Sequence, residues 1–327
     1  MKKYEKQIIS FLRDDDIDIE LQTKNSVPIT ITYLRNGGVR EWIIKNKNHI
    51  NNALTFFGAI LLRKFDVASP EDFNKLFVEL VGDSLDYKNQ TSPREQVCEG
   101  VYTSTSYPND QVINMHTENS YSRDYPGIIS FYCMKPARTG GATPIADERK
   151  LLSSLREKTV SRFREKGIMY ERNILPDIGL NWQTVYQTGD RMKVNEILKR
   201  DEVNFKWVTG DHLRIKWTLP AFQHHPITMT EMWFNHAYFY HKSLYDPELL
   251  EYFENYDIPF ATLYGDGTTI EDSVIQEIKD FYSNNTIFFN WEEGDFLLLD
   301  NMSFSHGRMP YEGERCILTA MGRPQRF

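Results

Sequence analysis

Cysteine is scarce: three residues in 327, Cys98, Cys133 and Cys316, with no CxxC pairing. That excludes a disulfide scaffold and argues against a structural zinc site, and it fits a reducing compartment. No stretch approaches the roughly 20 consecutive apolar residues that a helix needs to cross a bilayer. The opening MKKYEKQIISFLRDDD breaks its apolar run with charge too early for a secretory leader. A basic excess is missing too. Lys and Arg number 38 against 46 Asp and Glu, a formal net charge of −8, which disfavours a general nucleic-acid binder. Gly265-Asp266-Gly267 lacks the third glycine and the βαβ setting of a nucleotide loop, so it reads as a turn. No internal repeat or low-complexity linker divides the chain. The expectation is a cytoplasmic globular protein that engages neither membrane nor nucleic acid.

What is present suffices for one well-filled core: 40% hydrophobic and 26% charged residues over a length compatible with a single domain, 1–327. Val39–Phe57 carries Trp42, Ile43, Ile50, Leu54 and Phe57 at helical spacing. Gly58–Phe65 reads as a buried strand. Ser69-Pro70-Glu71-Asp72 opens a second helix, to Val81, with an N-cap, an N1 proline and an acidic first turn. Residues 1–90 thus form an α/β lead-in. Beyond them come short β-rich runs, Gly127–Met134, Leu213–Thr218, Glu231–Phe234, Thr286–Asn290, Phe296–Asp300 and Arg315–Met321. Their irregular spacing suggests an antiparallel barrel or double-sheet jelly roll. Helices are expected at Glu148–Glu165, Val194–Lys199 and Thr269–Ser283, and residues 148–212 read as a helical, lid-like insertion over the barrel mouth.

The chemistry concentrates in His116-Thr117-Glu118 and the distant His306. On a strand, residues two apart project to one face, so His116 and Glu118 would point together while a third ligand arrives from elsewhere. Two histidines and one carboxylate make the facial triad of non-haem Fe(II) oxygenases, with positions left for co-substrate and oxygen. With eight histidines in the chain, that spacing alone is open to chance. Arg315 follows His306, and Thr143 lies in GGATPIAD; an arginine helped by a hydroxyl can grip the far end of a dicarboxylate. Asn119, Asn301 and Arg308 read equally as substrate contacts or as organisers of the turns near the ligands. The pairs His224-His225 and His236/His241 read as packing, hydrogen-bonding or substrate-pocket residues. The aromatic group Trp233, Phe234, Tyr238, Phe239 and Tyr240 reads as core, and the cysteines as small buried hydrophobes.

The segments HTENSY, GGATPIAD, WFNHAYFYH, YGDG, WEEGDFLLLDN and HGRMPYEGERCILTAM resemble the taurine-dioxygenase (TauD/TfdA-like) superfamily, and most closely its SyrP-like branch. The likeness runs from about Gly100 to Met321 and is weaker before it. It implies an α+β, mainly β fold: a double-stranded β-helix (jelly-roll, cupin-like) core with flanking helices. It also implies Fe(II), with 2-oxoglutarate and O2 as co-substrates. Carried over by position, His116, Glu118 and His306 would hold iron, and Thr143 and Arg315 the C5 carboxylate of 2-oxoglutarate. Arg308 and Asn119 are the candidates for substrate contact.

The implied activity is hydroxylation of an unactivated C–H bond, at the β-carbon of an amino acid or amino-acid-derived substrate in natural-product biosynthesis. That substrate is a free small molecule or one tethered to a carrier protein. Desaturation or cyclisation by the same cofactors is the alternative within enzymes, and a catalytically silent jelly-roll binding protein the alternative outside them. Taurine dioxygenase has a second arginine four residues after the first, where this chain has Thr319, so a sulfonate would lack its clamp. Halogenating relatives replace the carboxylate ligand by a small residue; Glu118 disfavours that chemistry.

Overall fold

The computed structural model describes residues 2–21, 27–82, 84–85, 94–104, 107–253 and 258–327. It begins with α1 (Lys2–Leu12), β1 (Ile17–Leu21), β2 (Ile29–Tyr33), α2 (Val39–Phe57), β3 (Ala59–Arg63) and α3 (Pro70–Val81). Shorter strands follow: β4 (Gln96–Cys98), β5 (Val101–Thr103), β6 (Ile113–His116), a long β7 (Asp124–Lys135), β8 (Thr139–Gly140) and β9 (Ile145–Asp147). The middle holds α4 (Glu148–Ser154), α5 (Glu157–Lys166), β10 (Ile168–Ile174), α6 (Trp182–Tyr186), α7 (Arg191–Arg200), β11 (Asn204–Trp207), β12 (Leu213–Leu219), β13 (Phe222–His224) and β14 (Glu231–Trp233). Then come α8 (Pro247–Tyr252), β15 (Phe260–Tyr264), α9 (Asp272–Asn285), β16 (Phe296–Asp300), β17 (Phe304–Arg308), β18 (Tyr311–Glu312) and β19 (Cys316–Arg326).

The lead-in folds as its pattern dictates. On α2 the residues at helical spacing, Trp42, Ile43, Ile50, Leu54 and Phe57, are all buried. The helix stops at Gly58, whose left-handed φ of 81° lets its N–H reach the Leu54 carbonyl. A side chain at this position would also collide with the Phe304 ring, 2.5 Å from an ideal Cβ. At the start of α3 the Ser69 hydroxyl accepts from Asp72 N at 3.1 Å, and Pro70 occupies the first turn.

Among the described residues the largest sheet runs β1-β2-β3-β16-β7-β19-β5-β4. All its pairs are antiparallel except β2–β3, which α2 connects. Its central β16, Phe-Leu-Leu-Leu-Asp, is buried at every position, which requires cover on both faces. A three-stranded sheet, β6-β17-β9, lies across the jelly roll from it, and Phe131 of β7 packs on His306 of β17 at 4.9 Å between ring centres. The space between the two sheets is where the candidate ligands project.

Four expectations need correction. Residues 148–212 are not simply helical: β10 and β11 join β12 and β15 in a four-stranded antiparallel sheet. The signal was present, because Ile168–Ile174 buries every second residue. The helix expected over Glu148–Glu165 is two helices, broken at Leu155 and Arg156, where the backbone is extended. Thr286–Asn290 makes only an isolated bridge, Ile287 to Ile145. Of the cysteines only Cys133 is fully buried; Cys98 and Cys316 are half-buried.

Candidate active site

Strands β6 and β17 pair antiparallel with His116 directly opposite His306, so register alone brings two imidazoles side by side, 4.4 Å between ring centres. Glu118 does not share the strand with His116, as the HxE spacing suggested. β6 ends at His116, and Glu118 stands in the turn that follows. Asn301 holds that turn. Its Oδ1 accepts from Glu118 N at 2.7 Å, and its Nδ2 donates to the Glu118 carbonyl at 2.9 Å and the Pro126 carbonyl at 2.8 Å. A buried amide with donor and acceptor both engaged on backbone is a rigid clamp.

The outcome is the single group of possible metal ligands among the described residues: His116, Glu118 and His306, with ligand atoms all within 4.8 Å of one another. His116 donates through Nδ1 to the Asn114 carbonyl at 2.8 Å, which leaves its Nε2 lone pair for a cation. His306 presents Nε2 at 3.9 Å from Glu118 Oε2. Burial holds both imidazoles below the ordinary histidine value, His306 more strongly, with further lowering from His116, Arg94 and His236 nearby. Neutral imidazole is the ligating form. Two neutral nitrogens and one carboxylate, buried together, fit Fe(II) with open positions.

From the histidines a narrow cleft runs to Arg315, lined also by Phe131, Thr143 and Ile317. Arg315 stands one residue before β19 and donates through Nε to the Gly141 carbonyl at 3.0 Å and through Nη2 to Thr143 Oγ1 at 3.3 Å. Trp291 Nε1 donates to the same hydroxyl at 3.0 Å, fixing it. Burial, then the neighbouring Arg308, lowers Arg315 to about 10, which leaves it a cation at neutral pH. Gly141, at φ 70°, admits the guanidinium stem: a Cβ there would stand 2.9 Å from Ala137 Cβ and 3.1 Å from Arg315. Sequence had paired Arg315 with Thr143, and the structure brings them together.

The two candidate substrate contacts also make bonds within the chain. Arg308 gives Nη1 to the Tyr107 carbonyl at 2.8 Å and Nη2 to the Pro108 and Gln111 carbonyls, so its guanidinium staples the 107–111 loop. Asn119 sits at φ 55°, a left-handed position that asparagine tolerates, and its Oδ1 accepts from the Tyr121 hydroxyl at 3.1 Å. These bonds organise the chain around the candidate ligands, while Arg308 also lines the cleft with its Nε unpartnered. His225 and His241 are structural as well: His225 bonds Asp300 at 2.8 Å, and His241 lies between Ser243 and the Ile270 carbonyl. His236 lies closer, its ring centre 5.9 Å from that of His116, with Nδ1 on the Ser120 hydroxyl at 2.7 Å. Phe239, read as core, is half-buried against His116 at 4.6 Å. Thr319, where the clamp arginine would stand, is fully buried beside Phe131 on β7.

The chain matches the family model described as taurine catabolism dioxygenase TauD, TfdA family, over residues 38–321. It is 35% identical over 279 residues to the dapdiamide synthesis protein DdaC of Enterobacter agglomerans, covering 84% of this chain and 85% of that one. A clavaminate synthase-like protein of Arabidopsis thaliana is 26% identical over 285 residues, 84% of each chain. Among solved structures, PvcB of Pseudomonas aeruginosa superposes with a TM-score of 0.56 at 12% identity, over 94% of this chain and 92% of that one. A second PvcB structure, described as an Fe, alpha-ketoglutarate dependent oxygenase from an isonitrile synthetic pathway, gives 0.55 at 12% identity over 96% and 95%. AAD-2 in complex with Mn(II) and N-oxalylglycine gives 0.53 at 11% identity over 93% and 96%.

Proposed function

This chain belongs to the TauD/TfdA dioxygenase family and is an Fe(II)- and 2-oxoglutarate-dependent oxygenase, and from that premise we propose that it hydroxylates an amino acid or an amino-acid-derived metabolite. His116, Glu118 and His306 are the proposed iron ligands, and Arg315 with Thr143 the proposed anchor for the far carboxylate of 2-oxoglutarate. The observation that carries this reading is their common cleft: a buried two-histidine, one-carboxylate cluster at one end and a buried cation beside a fixed hydroxyl at the other. Iron with 2-oxoglutarate and oxygen supplies the oxidising power. The chain's residues supply position, charge and exclusion of water. Phe131, Phe239 and Ile317 keep the cluster apolar on its flanks.

The substrate class rests on relatives named for dapdiamide synthesis and an isonitrile synthetic pathway, which point to natural products built from amino acids. Thr319 supports it from the opposite direction, since it stands four residues after Arg315, where taurine dioxygenase has its sulfonate-gripping arginine. A substrate whose carboxylate is masked by attachment to a carrier protein would make that absence understandable. The insertion sheet that carries β10–β12 is read as cover for the cleft mouth, because Trp217 Nε1 ties it to the Tyr121 carbonyl, three residues beyond Glu118, at 2.7 Å.

The test is to incubate the protein aerobically with Fe(II), 2-oxoglutarate and a panel of free and carrier-loaded amino acids, measuring succinate and intact mass. One added oxygen per succinate on an amino-acid substrate is the expected result. Rapid taurine hydroxylation would overturn the substrate class, and activity confined to free amino acids would overturn the tethering alone.

A further inference from the structure

Arg94 is a cation that sequence reasoning passed over. Its Nη2 donates to Glu118 Oε2 at 2.9 Å, and both side chains are only about 5% exposed. The same guanidinium lines the cleft that joins the histidines to Arg315. A buried ion pair adds little net stability, because desolvation offsets its attraction, so one placed on a metal ligand calls for another role. A carboxylate can meet a cation through one oxygen or through both. The Arg94 bond is made to Oε2, the oxygen that also faces His306 Nε2 at 3.9 Å, so it fixes the rotation of the carboxylate with that one oxygen turned to the histidine. Asn301 already fixes the backbone of the same residue, so Glu118 is held at both ends.

We infer that Arg94 is a positioning residue that keeps Glu118 a one-oxygen ligand, preserving the coordination positions a chelating keto acid needs. This rests on the iron and 2-oxoglutarate reading above. It makes a prediction of sign that a merely structural arginine does not. Removing a positive charge beside a dication should leave metal binding as tight or tighter, while 2-oxoglutarate loses the place the second oxygen then takes. An arginine that only holds the fold together would, once removed, weaken the metal as well.

The experiment compares Arg94→Met and Arg94→Lys with the unaltered protein, without oxygen. Mn(II) binding is followed by the EPR signal of free Mn(II), and 2-oxoglutarate binding to the Fe(II) protein by its visible charge-transfer band. In Arg94→Met, Mn(II) binding should be unchanged or tighter, while half-saturation by 2-oxoglutarate should rise about 10- to 100-fold, the usual scale for partners of metal ligands. Arg94→Lys should recover part of that loss, having the charge without the planar fork. Equal 2-oxoglutarate titrations in Arg94→Met and the unaltered protein would overturn the inference, and so would parallel weakening of Mn(II). Complete recovery in Arg94→Lys would assign the effect to charge alone and overturn it too. Should Arg94→Met not fold, judged by far-UV circular dichroism, the Lys variant decides: weaker 2-oxoglutarate with intact Mn(II) binding supports the role, and no change overturns it. A band absent from the unaltered protein would instead count against the iron and keto-acid reading itself.

Discussion

The two ends of the cleft hold their chemistry by different means. At the metal end, position comes from backbone: strand register sets His116 against His306, and Asn301 grips both the N–H and the carbonyl of Glu118. At the anion end, position comes from a single long side chain, Arg315, steadied by a hydroxyl and one carbonyl. The metal end uses burial to keep imidazoles neutral, whereas the anion end keeps a charge despite burial. The metal end should therefore fail outright when one group is removed, and the anion end should fail by degrees.

The largest effect is expected at His306. The His306→Ala protein should lose the charge-transfer band seen with Fe(II) and 2-oxoglutarate in the absence of oxygen, since only two of the three proposed ligands remain. A band of unaltered strength would remove His306 from the ligand set. The next effect is graded. Arg315→Leu should raise the KM for 2-oxoglutarate roughly thirty-fold or more, as loss of a charge-assisted contact in a desolvated site costs about 2–5 kcal/mol. Iron affinity should hardly move, and Arg315→Lys should restore part of the loss. An unchanged KM in the Leu variant would refute the anchor and erase the contrast between the ends.

Arg308 sharpens the contrast further, because it lies in the same cleft with both Nη groups turned to the 107–111 loop. Arg308→Met should lower thermal stability, each lost bond from a charged donor counting about 1.5–3 kcal/mol at most. Its effect on the 2-oxoglutarate KM should stay well below that of Arg315→Leu. Comparable KM effects at the two arginines, with stability intact at Arg308, would mean that both cations belong to the anion end.

Much of this was legible in the sequence because local rules acted alone. The α2 stripe, the Ser69-Pro70 cap of α3 and the apolar β16 follow from spacing and capping chemistry, and they appear at the expected residues. The grouping of His116, Glu118 and His306 and the Arg315–Thr143 pair were legible from motifs. The rest depends on contacts between residues far apart in sequence. Nothing in the order of residues says that Arg94 folds onto Glu118, or that Asn301 reaches the Glu118 backbone rather than a substrate. Arg308 carried the same ambiguity, since a guanidinium beside a ligand serves a loop as readily as a ligand. β10 was missed although its alternation was on view, because neighbouring helical patterns made the whole stretch read as helical.

The smallest effect on the cleft is expected at a buried carboxyl belonging to neither end. Glu148 opens α4 behind β17, fully buried, with Oε1 accepting from the Tyr282 hydroxyl at 3.0 Å. Burial pushes its carboxyl from about 4.5 up to about 8, against the lowering influence of hydrogen bonds with Ser305 and Tyr282. The folded value is thus raised above the unfolded one. Its contribution to stability is complete below about pH 4.5, shrinks as the unfolded chain gives up the proton that the fold retains, and is gone once pH passes about 8. Glu148→Gln keeps the shape and removes the proton equilibrium. Relative to the unaltered protein, the variant should therefore gain stability steadily from pH 5 to pH 8, by an amount on the order of a few kcal/mol. Melting temperatures at intervals across that range measure it, and parallel pH profiles for the two proteins would refute the buried proton. The 2-oxoglutarate titration should stay where it is in the variant. If it moved as far as it does in Arg315→Leu, the metal strand would be coupled to the helix behind it, and backbone register could no longer be treated as the independent support of the metal end.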